Sequence, residues 1–182
     1  MKRLIVFSFS FFFIISFLTN CNEEKEIYSQ RNHILHLVYQ EYENSYKDSI
    51  AVFESSLSDI DRYMKLTSFN TTKISNEDIQ RWNNQHENYK RVYWEKWGWK
   101  NISLISKNEF PDYFEYSIPP PGTEITNYIT VLYFSVPLVG KENALLFVAK
   151  KSGKYSWNVY RIILKKTAGE WSIASKRNII TT

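Results

Sequence analysis

The chain has 182 residues, with 23 Lys and Arg against 19 Asp and Glu, a formal net charge of +4 and a pI of about 9.0. Its single cysteine excludes an internal disulfide and any cysteine-based metal cluster. The length fits one domain that buries about 70% of its unfolded surface, and six Trp with 13 Tyr supply large core rings.

Lys2 and Arg3 form a short positive start, and residues 4–18 follow as an apolar run without charge. A spanning helix needs about 20 apolar residues. This shorter run, followed at once by the polar Asn22-Glu23-Glu24-Lys25-Glu26, reads as an export signal over residues 1–20. Beyond it, 21 basic residues face 19 acidic ones. That near balance excludes nucleic acid as the expected partner, despite the high pI.

The signal ends on Leu18-Thr19-Asn20-Cys21, which resembles the lipobox of bacterial lipoproteins, with Asn20 where that family usually has Gly, Ala or Ser. The resemblance implies cleavage before Cys21 and transfer of a diacylglycerol to its thiol. The partner would be membrane lipid, held through acylated Cys21. Each buried methylene adds about 0.8 kcal/mol, and two chains suffice for stable anchoring. The chain then divides into a signal at 1–20, a lipidated tether at 21–30 and a single α+β domain at 31–182. Asn22 to Glu26 also resemble, in charge and position, the acidic export signal of Bacteroidota surface lipoproteins. This implies the outer membrane, on its periplasmic face or at the cell surface.

In the domain, Ile34, Leu35, Val38, Tyr42, Ile50, Phe53, Leu57, Ile60 and Met64 recur at helical spacing and predict a helical first part. A further helix is expected from Ser75, with Asp78 completing a capping box. Its face would carry Ile79, Trp82, His86, Tyr89, Tyr93 and Trp97, and Gly98 would stop it. Residues 101–107, 113–118, 128–136, 144–150, 156–165 and 171–180 read as strands. GKEN at 140–143, KSGK at 151–154 and TAGE at 167–170 are turns short enough to make antiparallel neighbours. Pro119-Pro120-Pro121-Gly122 predicts an extended loop, and Pro137 a strand end or edge bulge. The expected architecture is α+β: N-terminal helices packed on a C-terminal antiparallel sheet, with Trp157, Val159, Trp171 and Ile173 on its buried side.

The stretch YFSVPLVGKENALLFVAKKSG, then YRIILKKTAGEWSIAS, resembles the C-terminal meander of uncharacterised Bacteroidota-type lipoproteins, over about the last third of the chain. It lacks the cysteine pair often found between their final hairpins. The last hairpin also resembles that of NTF2-like cone-shaped domains. Neither likeness implies an activity.

Motifs for serine hydrolases, zinc proteases and phosphate-binding glycine loops do not occur. His33 and His36 stand at i and i+3 with Glu41 and Glu43 nearby, but two histidines make a poor zinc site without a third placed ligand. They read as helix-surface histidines. Trp94, Trp97 and Trp99 form the densest aromatic patch, open to core packing or to stacking on a sugar, and exposure decides between them. Asp48-Ser49-Ile50 matches the three-residue pattern of Bacteroidota O-glycosylation. Basic clusters at Lys150-Lys151 with Lys154, Lys165-Lys166 and Lys176-Arg177 fall at expected hairpin turns or strand ends, where solvated lysines are ordinary. The sequence points to a membrane-anchored, non-catalytic binding or interaction module with a protein or glycan partner and no cofactor. An immunity-type lipoprotein acting against an envelope toxin, or a hydrolase of envelope polymers, are the alternatives.

Overall fold

The computed structural model describes residues 24–45, 50–67, 74–88, 90–95, 99, 102–106, 130–152 and 156–181. Cys21, Ser49, Trp97, Gly98, the strand expected at 113–118 and the Pro119 to Gly122 loop lie outside these residues. The elements in chain order are α1 (24–45), β1 (Ile50–Phe53), α2 (Ile60–Lys65), α3 (Asn76–Glu87), β2 (Leu104–Ile105), β3 (Thr130–Phe134), β4 (Leu138–Val139), β5 (Asn143–Ser152), β6 (Trp157–Thr167) and β7 (Glu170–Thr181).

The strands form one seven-stranded sheet in the order β2-β1-β3-β5-β6-β7, with β4 also paired to β5. The fold is α+β, as the composition of the segments predicts. The sheet is mixed, however: β1 runs parallel to both β2 and β3, and the remaining pairings are antiparallel.

Strand β1 replaces part of the helix expected through Met64. Ile50, Phe53 and Leu57 fit a helical stripe, but Ile50-Ala51-Val52-Phe53 is an unbroken apolar run in which all four residues are buried. A short run of this kind has no periodicity to separate helix from strand. Buried strands in parallel pairings show just such continuous runs. Such pairs need a long crossover, and the chain carrying α2 and α3 supplies it between β1 and β2.

Strand β5 is the centre of the molecule, and Asn143 through Ala149 are buried on both faces. Ala144, Leu146 and Val148 pack with Ile34, Leu35, Val38 and Tyr42 of α1. The alternate residues Leu145, Phe147 and Ala149 pack with Ile60 and Tyr63 of α2 and Trp82 of α3. Helices therefore cover both faces, giving three layers. Full burial of a Leu or Ile contributes about 1.5–3 kcal/mol, so the 0% exposed Ile34, Leu35 and Val38 weld α1 to the sheet.

The two faces correct the expectation that Trp157, Val159, Trp171 and Ile173 share one buried side. Trp171 and Ile173 belong to the α1 face, while Trp157 and Val159 belong to the α2 and α3 face. Ile173 pairs with Leu164, which lies an odd number of positions from Val159, so the pleat sends them to opposite sides.

Strands β3 and β4 occupy successive stretches of the same edge of β5, interrupted at residues 135–137. The Ser135 N–H donates to the Phe147 carbonyl at 2.9 Å, and the Ser135 hydroxyl accepts the Phe147 N–H at 2.9 Å. Pro137, which has no N–H to give, sits at that break. At the outer edge, Ala174 and Ile179 of β7 are extra residues opposite β6, and these two bulges blunt the exposed edge.

Helix α3 ends at Glu87, well before Gly98. The following chain instead runs beside residues 54–56. Ser56 N–H donates to the Val92 carbonyl at 2.9 Å, and Trp94 N–H to the Glu54 carbonyl at 3.0 Å. This carries Trp94 to the α1 face, whereas Trp82 of α3 stands on the opposite one. One helix could not serve both. At the other end of the chain, helicity begins by Glu24, so most of the segment expected as a tether belongs to α1. Among the described residues no helix is long and apolar enough to cross a membrane.

Candidate functional site

Of the predicted stacking residues, Trp94 and Trp99 come together in the core. Trp94 is 0% exposed and Trp99 5%. Their rings meet edge to face, 5.2 Å apart at 81°, and Trp99 contacts Phe134 in the same way. These two are core residues, not the coplanar, solvent-facing pair that stacking on a sugar requires. His33 and His36 are exposed on α1, with the His36 ring edge-on to Trp99 at 6.0 Å. Glu41 is taken by Lys176, at 2.9 Å. Glu43 faces the Tyr39 hydroxyl, whose pKa is raised by burial first and then by the Glu43 carboxylate. Among the described residues, no three His, Cys, Asp or Glu side chains come together as a metal site.

The basic pairs divide, because neighbours along a strand point to opposite faces. Lys176 lies on the α1 side, 4.0 Å over the Tyr42 ring. Arg177 lies across from Arg161. Burial first, and the Arg177 charge second, lower the Arg161 pKa. Lys151 is likewise lowered by burial.

Two arrangements escaped sequence reasoning. The first joins α3 to the β4–β5 turn. Ser75 Oγ accepts the Asp78 N–H at 3.1 Å, which is the expected cap. The Asp78 carboxylate does not complete a capping box; it turns inward and is 0% exposed. It accepts the N–H groups of Lys141 and Asn143 and the Asn143 side-chain amide at 2.8 Å. Two turns of helix later, Gln85 donates to the Val139 carbonyl at 2.6 Å and accepts the Val139 N–H at 2.9 Å. Gln85 thus serves as a strand neighbour for β4. Arg31 of α1 reaches both Gln85, at 2.9 Å, and the Pro137 carbonyl, at 3.0 Å. This is an internal scaffold, fully committed to holding α1, α3 and the sheet in register.

The second arrangement is the candidate site. Ser58, Asp59, Asp61, Arg62, Lys65 and Leu66 line an open groove of about 420 Å³ along α2. His86, in the last turn of α3, is paired with Asp61, so two helices meet at its rim. Asp61 is 80% exposed at its side chain and Leu66 54% exposed. A wide groove with charges of both signs and an apolar rim suits contact with a polar surface. It does not exclude water, as sites of covalent chemistry commonly do. Its only sequence signal was His86 on the predicted α3 face; the Asp61 partner comes from a different helix. Comparison of the chain with protein-family models, curated proteins and solved structures finds no match.

Proposed function

We propose that the protein is a lipid-anchored, extracytoplasmic interaction module, held at the outer membrane through acylated Cys21, with no catalytic site. The observation that carries this reading is the order of the first residues: Lys2 and Arg3, an uncharged apolar run, then a solitary cysteine followed by Asn22 and the charged Glu23 to Glu26. The folded part supports it in kind. A three-layer domain offers the open α2 groove, with charges of both signs, to a protein or glycan partner. Metabolic labelling with an alkyne fatty acid tests the anchor. The parent protein takes the label and stays with the membrane, and Cys21→Ala loses both; label retained by that variant overturns the reading. Protease added to intact cells separates the cell surface from the periplasmic face.

One observation favours a hydrolase instead, the contact of His86 with Asp61 at the groove. Turnover of an envelope polymer by the purified domain, abolished in His86→Ala, would establish that alternative.

A further inference from the structure

Helix α1 has a fixed direction on the sheet. Near its start, Arg31 is bonded to the Pro137 carbonyl and to Gln85. Further on, Glu41 holds Lys176, and Tyr42 stands edge-on to Phe134 and Tyr160 at 6.5 Å. From Pro137 the chain continues through β4 into the turn at 140–143. That turn is tied to the β6–β7 turn by the Lys166 N–H, which donates to the Glu142 carbonyl at 2.7 Å. The start of α1 therefore lies at the same end of the molecule as both turns.

The lengths agree. Glu24 precedes Arg31 by seven helical residues, about 10 Å of rise. Lys141 follows Pro137 by four extended residues, about 13 Å. The start of α1 thus rises at most about 10 Å beyond Arg31 toward the level of the two turns. Only two residues of chain, three steps of at most about 11 Å in all, separate Glu24 from Cys21. A lipid on Cys21 has no long tether to hang from.

We propose that the end of the domain bearing the turns at 140–143 and 167–170 is a membrane-contact face, resting against the headgroup layer of the bilayer that holds Cys21. This rests on the acylation reading and adds an orientation to it. Charge does not create the contact, since Lys141, Lys165 and Lys166 stand there with Glu142 and Glu170. The short attachment creates it. The opposite end, with Lys150 near the end of β5, then points away from the membrane.

The test uses the chain from Cys21 onward, its thiol coupled to a maleimide phospholipid in phosphatidylcholine vesicles. A membrane-impermeant amine reagent labels lysines, and mass spectrometry reads each position. Labelling of Lys141 and Lys165 should fall several-fold against the uncoupled chain, while Lys150 labels equally in both. A Gly-Ser spacer of about ten residues after Cys21, reaching roughly 17 Å on average, should restore it. Unchanged labelling at Lys141 and Lys165, or equal loss at Lys150, overturns the orientation. So does protection of the uncoupled chain on anionic vesicles, which would make charge the cause. Chemical coupling keeps this result independent of acylation in cells; that reading fails separately, if native Cys21 carries no lipid.

Discussion

Gly140 lies against the Asp78 carboxylate so closely that a Cβ there would overlap it and stand 2.7 Å from the Asn143 carbonyl oxygen. The contact lets the first turn of α3 seat in the β4–β5 turn, where Asp78 takes three N–H groups. Gly140→Ala should therefore cost about 1–3 kcal/mol, the usual range for overpacking. Asp78→Ala should cost more, because each stranded buried donor carries about 1–3 kcal/mol. Chemical denaturation measures both. An Asp78→Ala variant as stable as the parent would remove the turn's role in fastening α3.

The β6–β7 turn is strained at one residue. Ala168 has φ of 52° and Gly169 of 91°, so both central residues are left-handed, as in the tight hairpin turn that favours Asn-Gly. An alanine there costs about 1–2 kcal/mol. Ala168→Asn should raise the melting temperature by a few degrees, with Ala168→Val lowering it. Scanning calorimetry of the two variants decides the point.

Trp171 is 6% exposed and packs on the α1 face. Trp171→Ala should lose about 3–5 kcal/mol, as core aromatics do. Trp82→Ala, on the opposite face, should lose a comparable amount. A sheet covered on one side only would leave one of the two variants near the parent in thermal unfolding.

How far the sequence revealed this fold depends on which signals were local. The last strands are rich in β-branched and aromatic residues and are joined by short turns, so β5, β6 and β7 follow from local propensity and turn chemistry alone. The Ser75 cap is equally local. Strand β1 is not, because four apolar residues between polar neighbours suit either structure until β3 pairs with them. The bulges at Ala174 and Ile179 leave no compositional trace, and they shift which β7 side chains face α1. Asp78 signals a cap by position, but its real partners are more than 60 residues away. The groove depends on His86 meeting Asp61 across two helices, a coincidence of packing that no spacing encodes. For Trp94 and Trp99, only burial could decide between core and platform.

Buried and half-buried tyrosines should weaken the domain at alkaline pH. Burial raises the pKa of Tyr133 well above the usual tyrosine range and also raises those of Tyr63 and Tyr39. The unfolded chain loses these protons near pH 10, while the native state keeps them. Above that pH the unfolded state binds fewer protons, so stability falls as pH rises. It should be insensitive to these groups below about pH 9. Urea unfolding of Tyr133→Phe across pH 8–11 should show a shallower alkaline decline than the parent; an identical decline would exclude Tyr133 from it.

The lipid anchor is tested most directly by the mass of the protein's own N-terminal peptide, isolated from membranes of cells that make it naturally. The account predicts a peptide that begins at Cys21 and carries a diacylglycerol on its thiol, with or without a further acyl chain on its amine. A peptide that retains residues 1–20, or one that begins elsewhere with an unmodified Cys21, would contradict it.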